Sequence, residues 1–385
     1  MARQTGRYRI TRTAGERVHA FVPYPLPPAR PPLVMDGPSR ELHAAALAEL
    51  DRLAVAGSMV PSTDWFLYGF VRKEAVVTSQ IEGVEATLRD VVTFEATQQS
   101  DRPDDVREVC NYVSAFSHAR KQLADPHGLP LSIRLLCEAH RILMSGVRGE
   151  RKLPGEIRRS PNWIGGSRLG NARFVPPPPE DVPSLLGALE RWLHADSDLP
   201  PLVRIGLAHV QFETIHPFLD GNGRIGRLLI ALLVEHWRLL DQPLLYPSLP
   251  FWRKRREYYD RLAAVRTDGD WEGWIRFFLA CVRDAAADGV RVAYAVHVVL
   301  GHDRRRITEH ARPTVAAVRL LDHLPSHPVV TVSLASELLD LTQPPTRKAI
   351  GLLEDLGILQ KITGRRRGSA YVYRDYLQIL IGDDA

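Results

Sequence analysis

The stretch His216-Pro217-Phe218-Leu219-Asp220-Gly221-Asn222-Gly223-Arg224-Ile225-Gly226-Arg227 brings together an imidazole, a carboxylate, a small-residue turn and two guanidinium groups. An imidazole titrates near neutrality, which suits His216 to take a proton from an attacking hydroxyl. Asp220 is a hard oxygen ligand of the kind Mg²⁺ prefers, with phosphate oxygens completing the shell. The apolar run Leu228 to Val234 predicts that the turn opens onto a buried helix. The first turn of such a helix leaves N–H groups unpaired beside the positive end of its dipole, and glycines let them converge on an anion. Arg224 and Arg227, three apart, share a face and can both reach one polyphosphate. The pattern reads as a phosphate site built on Gly221 to Arg227; the plain alternative is a helix N-terminus with surface arginines.

Every specified position of His-Pro-Phe-x-Asp-Gly-Asn-Gly-Arg-x-x-Arg is filled, and the stretch closely resembles the Fic signature. That resemblance implies a protein adenylyltransferase. ATP and Mg²⁺ bind at Gly221, Asn222, Gly223, Arg224, Ile225, Gly226 and Arg227. His216 deprotonates a Ser, Thr or Tyr hydroxyl of a protein substrate, this protein itself being one candidate. The oxygen attacks the α-phosphate, giving AMP-protein and pyrophosphate. Asp220 then holds the metal, Asn222 and the turn stabilise developing phosphate charge, and the two arginines orient the β and γ groups. The related phosphorylating branch has lysine where this chain has Gly223, so glycine fits AMP transfer.

The elements that must position these residues begin upstream. A helix from Trp65 to Glu82 is predicted to end at Gly83, which takes a left-handed cap at little steric cost. Glu82 then sits at the negative end of the helix dipole, which costs ~0.3–1 kcal/mol at an exposed site and invites a cation. Thr78-Ser79-Gln80-Ile81-Glu82-Gly83 resembles the inhibitory-helix pattern of Fic proteins that carry the inhibitor N-terminal to the signature. The resemblance pairs Glu82 with Arg227, so that nucleotide binds with a displaced γ-phosphate and an α-phosphate misaligned for attack. By itself the hexapeptide is also an ordinary helix end. The same glutamate can instead position water for removal of AMP, and the sequence leaves both open.

Gly146 to Pro183 is rich in glycine, proline and arginine and reads as loops. Within it, Asn162 to Gly165 and Ala172 to Pro176 are expected as two short strands. They resemble the family's flap, in which Ile164, Gly165, Phe174 and Val175 would hold the target segment by strand addition. An ordinary structural hairpin is the alternative. Gln211 and Glu213 lie close enough to His216 for polar contacts with the nucleotide site, or for orienting the loop. In the family an asparagine near the adenine often stands where Lys254 falls, which leaves the base contact and base preference open.

Other helices are expected at Ser39 to Ala56 with Ser39 as cap, Val106 to Leu123, Ser132 to Met144, Val182 to His194, Leu202 to Thr214, Phe251 to Arg266, Trp271 to Arg291, and on to Ile307. His140 falls among apolar neighbours and reads as a satisfied core histidine rather than a ligand. The fold expected is mainly α: a Fic-type helical bundle with a β-hairpin flap and a C-terminal winged helix-turn-helix. Residues 1–38 form an extended proline-rich arm, 39–123 an N-terminal helical region, 124–310 the catalytic domain and 311–385 the winged helix.

In that last part, helices are expected at Thr314 to Leu324, from a Ser333 cap to Leu339, and at Thr346 to Leu356, with strands at Ile358 to Thr363 and Ala370 to Tyr373. Thr346, Arg347 and Lys348 front a recognition helix, and Gly364 to Gly368 form a basic wing carrying Arg365, Arg366 and Arg367. DNA binding by 313–385, with the Fic domain as nucleotide sensor, is the competing reading; a docking or homodimerisation module is the other. Whole-chain charge argues weakly for nucleic acid, since Lys+Arg 50 against Asp+Glu 45 leaves only +5. The 385 residues predict more than one domain, at roughly 100–200 residues each. Cys110, Cys137 and Cys281 are sparse and lack metal-like spacing, and no apolar run reaches the ~18 residues of a membrane span. A cytoplasmic protein without membrane partner is expected.

Overall fold

Apolar residues at helical spacing put most of the chain into helices, and the computed structural model describes residues 3–13, 16–58, 63–362 and 369–382. The chain opens with strands β1 (Gly6–Thr13) and β2 (Glu16–Pro23), antiparallel from Gly6↔Pro23 to Thr13↔Glu16. This corrects the expected arm: alternating GRYRITRT and ERVHAFVP flank a two-residue connection containing glycine, which is a hairpin pattern that the later prolines obscured. The proline-rich part runs on without regular structure toward Asp36, tied down by Arg3, whose guanidinium reaches Glu272 at 2.7 Å and the carbonyl oxygens of Pro31 and Pro32.

Helices α1 (Gly37–Ser58), α2 (Thr63–Ile81), α3 (Leu88–Thr97), α4 (Pro103–Ala124) and α5 (Ile133–Leu143) follow. Asp36, not Ser39, accepts at the start of α1, from the Ser39 N–H at 2.9 Å, while the Ser39 hydroxyl is buried without a partner. Helix α3 was not anticipated; Thr87 and Asp90 form a reciprocal capping box that sets its start. Helices α6 (Val182–His194), α7 (Pro201–Ile215) and α8 (Asn222–His236) come next, with α7 and α8 almost wholly buried at the centre of the core. The expected helix from Phe251 is two, α9 (Ser248–Arg253) and α10 (Arg255–Thr267), divided at Lys254. The two helices expected after Trp271 are one, α11 (Trp271–Thr308), whose 38 residues pack along α1.

The C-terminal part runs α12 (Val315–His323), β3 (Val329–Thr331), α13 (Val332–Leu339), α14 (Gln343–Asp355), β4 (Leu359–Ile362), β5 (Ala370–Tyr373) and α15 (Arg374–Ile381). The strands form one antiparallel sheet in the order β3-β5-β4. Thr331 rather than Ser333 caps α13, and α14 starts at Gln343 because Pro344 and Pro345 fit its first turn, where no N–H is needed. Thr346 is buried, so only Arg347 and Lys348 of the expected recognition trio face outward. The wing residues 364–368 lie outside the described residues. Helix α15 packs on α2 and α11, and the Tyr68 ring of α2 lies 6.2 Å from that of His327. Among the described residues no helix is long and apolar enough to cross a membrane.

Candidate active site

The turn between α7 and α8 is built from contacts that leave little freedom. His216 ends α7 in the left-handed conformation (φ 50°), its N–H donating to Phe212 O at 2.9 Å. Phe218 stacks on His140 with ring centroids 3.9 Å apart. The Gly155 N–H donates to His140 Nδ1 at 2.8 Å, so Nε2 carries the proton and donates to Asp220 O at 3.0 Å. Burial also holds His140 neutral, with a pKa down at about 4. Asn222 clasps the turn, its Oδ1 accepting from Phe218 N and its Nδ2 donating to Phe218 O, both at 2.8 Å. That side chain is therefore committed to the loop, which leaves the backbone N–H groups at the start of α8 as the anion donors.

An internal anion already stands at that helix start. The Glu82 carboxylate accepts from Arg227 Nη2 at 2.6 Å, and a Cβ on Gly223 would lie 2.3 Å from Glu82 Oε1. Only glycine at 223 allows this approach. The end of α2 thus meets the start of α8: a carboxylate disfavoured at one helix's negative end sits at another's positive end. Gly83 (φ 90°) turns the chain away immediately afterwards. Thr78, one turn earlier on α2, takes the rest of the guanidinium, its Oγ1 accepting from Nε at 2.6 Å and its carbonyl from Nη2 at 3.1 Å. Burial disfavours the Arg227 charge, and the neighbouring Glu82 carboxylate favours it through its charge and its hydrogen bond.

Arg224 is spoken for differently. Its Nη1 donates to Glu108 of α4 at 2.9 Å, both side chains being 3 % exposed. Glu108 gave no sequence signal beyond a carboxylate on a helix. Asp220 keeps one oxygen on the Gly221 N–H at 2.7 Å and the other 3.3 Å from Lys152 Nζ. Among the described residues no group of three or more His, Cys, Asp or Glu side chains converges as a metal cage.

His216 Nδ1 is buried without a partner, and burial first, then the Arg158 charge, brings its pKa down to about 4. Glu213, one turn before it, is buried with Oε1 unpaired, and desolvation pushes its carboxyl up to about 7. Gln211 points away from the turn, its amide donating to Tyr24 O at 3.0 Å. Lys254 Nζ is 3.0 Å from Asp284. The expected flap strands reduce to one bridge, in which Ile164 and Phe174 exchange N–H···O bonds of 2.9 and 3.1 Å. Gly165 (φ 69°) turns the chain after it. The Val175 carbonyl is taken by Phe21 N of β2 at 3.0 Å, and Arg266 lies 3.9 Å over the Phe174 ring. The N-terminal hairpin therefore supports this loop from behind, with Val18, Ala20 and Val175 in a small apolar cluster. Neither that support nor the Arg158 contacts to the His216 loop were visible in the sequence, because the partners lie far apart along the chain.

Residues 40–121 match the Fic/DOC family N-terminal model and residues 130–234 the Fic/DOC family model. The proteins named protein adenylyltransferase Fic in Drosophila erecta and Drosophila melanogaster are each 30% identical over 206 residues, 52% of this chain and 38% of theirs. The chain thus spans well under half the length of these curated relatives. A Fic family protein from Desulfovibrio desulfuricans G20 has the same fold at TM-score 0.56 and 22% identity, over 89% of this chain and 98% of that one. Fic-1 (residues 134–508) from C. elegans superposes at 0.51 with 21% identity, over 68% and 73% of the two chains.

Proposed function

Since this chain belongs to the Fic/DOC family, we propose that it transfers AMP from ATP to a hydroxyl side chain of a protein and that Glu82 restrains the reaction. The observation that carries the reading is the Glu82 carboxylate seated over Gly223 and bonded to Arg227. A helix start that already holds one anion, beside a cation that pairs with it, is chemically suited to a phosphate. His216, neutral above about pH 4, takes the proton of the attacking hydroxyl. The oxygen bonds to the α-phosphorus as the bond to the bridging oxygen breaks, and pyrophosphate leaves. N–H groups at the start of α8 receive the charge that develops, and Arg227, once released from Glu82, orients the outer phosphates. Arg224, held by Glu108, presents a fixed charge rather than a mobile one.

Asp220 suits Mg²⁺ as a lone carboxylate, with phosphates and water supplying the remaining oxygens and Lys152 withdrawing. Such an ion would neutralise phosphate charge. Ile164 spends both backbone groups on Phe174, so the Gly165 turn beside it presents the backbone for a target segment, while Phe174 and Val175 hold that loop from below. We read 311–385 as a winged helix-turn-helix, supported by its helix, strand, helix, helix, strand, strand order, and 39–123 with 124–310 as the catalytic body. Its exposed Arg347 and Lys348 support contact with nucleic acid phosphate less than a basic surface would, since Glu354 and Asp355 share the helix.

Incubation of the Glu82→Gly protein with α-labelled ATP and a cell lysate, followed by mass spectrometry, tests the reading. Peptides of this protein or of others should gain AMP, and His216→Ala should abolish the gain. Absence of transfer by a folded, nucleotide-binding Glu82→Gly protein would overturn it.

A further inference from the structure

We propose that Arg158 is a positioning residue that fixes His216 in its left-handed conformation and ties it to the segment following the flap. The proposal rests on the reading of His216 as the base. Arg158 is 2 % exposed, and its donors go to backbone carbonyls. Its N–H reaches Pro217 O at 2.9 Å, its Nε reaches His216 O at 2.8 Å, and its Nη2 reaches Ile215 O at 3.4 Å. Three consecutive carbonyls of the catalytic loop therefore accept from one residue. The same Nη2 donates to Pro177 O at 2.6 Å, and Nη1 to Ser160 O at 3.4 Å.

The loop needs such a brace. The last carbonyls of a helix have no partner within it, and a left-handed backbone is costly for any residue bearing a Cβ. Glycine would remove that cost, but position 216 must carry the imidazole. Proline at 217 supplies no N–H to help close the turn. The conformation must then be imposed from outside, and a planar fork with several donors does this where an ammonium cannot. The guanidinium has no carboxylate within ion-pair distance among the described residues, and burial lowers its pKa to about 10. A buried cation satisfied only by carbonyls is a poor choice for stability alone.

Pro177 gives the brace its second meaning. It lies two residues beyond Val175, in the run that returns from the Ile164↔Phe174 bridge. A protein segment that moves this loop on docking pulls, through one guanidinium, on the carbonyl of His216. The charges facing the imidazole also include Arg266, which like Arg158 disfavours the protonated ring, and Glu82, which favours it; the Glu213 backbone also favours it.

The test uses Arg158→Met and Arg158→Lys in the 385-residue Glu82→Gly protein. Thermal melts establish folding, and calorimetry gives ATP affinity. AMP-transfer kinetics and ¹⁵N-imidazole NMR titration of His216, assigned with His216→Ala, report the site. For Arg158→Met, kcat should fall about 100-fold, the size expected of a misplaced catalytic group, with ATP affinity within about twofold. Its His216 midpoint should rise as the neighbouring charge is lost. Arg158→Lys should keep the midpoint and recover part of kcat. A folded Met variant with unchanged kcat and midpoint would overturn the proposal, as would kcat and ATP affinity falling together. If Arg158→Met does not fold, the Lys variant is decisive: full kcat would overturn the need for the fork. If the parent Glu82→Gly protein transfers no AMP, the functional reading fails separately, and an unmoved His216 midpoint and line width in a folded Arg158→Met protein would reject the brace as well.

Discussion

Replacing Glu82 removes one of three bonds that α2 makes to Arg227, and it is the one between opposite charges. A hydrogen bond between charged groups contributes about 1.5–3 kcal/mol. The Glu82 side chain is 32 % exposed, so water screens part of this and the lower end, about 1.5–2 kcal/mol, applies. A triphosphate that must displace the carboxylate recovers that free energy once Glu82 is gone. At 1.4 kcal/mol per tenfold, ATP should bind Glu82→Gly about 10- to 30-fold more tightly. Glu82→Gln keeps a neutral bond of about half the strength and should gain only about 3- to 5-fold. ADP, lacking the outer phosphate, should gain less than ATP in either variant. Calorimetric titration with ATP·Mg²⁺ and ADP·Mg²⁺, paired with initial rates of AMP transfer below saturation, measures each quantity. A Glu82→Gly protein of unchanged melting temperature that binds ATP and transfers AMP no better than its parent would refute the argument, and so would a larger gain for ADP than for ATP.

Three further outcomes are expected. Glu108→Ala strands the buried Arg224 guanidinium and should cost about 3–5 kcal/mol in denaturant unfolding, as when one partner of a buried pair is removed; a change under about 1 kcal/mol would contradict the pairing. Burial raises the Glu213 carboxyl from 4.5 to about 7, so the unfolded chain ionises first and stability from this group declines as pH rises between those values. Glu213→Gln should flatten that part of the melting-temperature profile, and parallel profiles would count against it. Because burial and Arg158 bring His216 down to about 4, kcat/KM of Glu82→Gly should hold its plateau to about pH 5.5, and a half-maximum near 6.5 would show an ordinary histidine instead.

The hairpin β1–β2 shows how a local signal is lost beside a louder one. Its alternation was present in Gly6 to Pro23, but six prolines between Pro23 and Pro32 suggested an extended arm for the whole segment. Lys254 shows the opposite failure, since periodicity ran through a position where the backbone breaks between α9 and α10. Pattern registers which face is apolar and says little about where a helix is interrupted without glycine or proline. Helix α11 carries Gly289 and continues unbroken, because packing along α1 outweighs one residue's propensity.

For the site, the chain by itself determined what local chemistry can determine: an imidazole, a carboxylate, a glycine turn and two arginines before an apolar helix, and a Thr-x-x-x-Glu-Gly helix end far upstream. Spacing of three or four along a helix is a geometric statement, so those groupings are readable without a fold. Only the tertiary structure decided which cation faces which anion. Arg224 and Arg227 are equivalent in sequence, yet one is locked to Glu108 of α4 and the other is bonded to Thr78 and Glu82 at the end of α2. It also decided that Asn222 braces the loop, that Gln211 turns to Tyr24, and that Arg158 reaches the carbonyl of His216. Such contacts join residues up to 187 positions apart, and what selects them is the need to satisfy buried charge and backbone groups once the helices have packed.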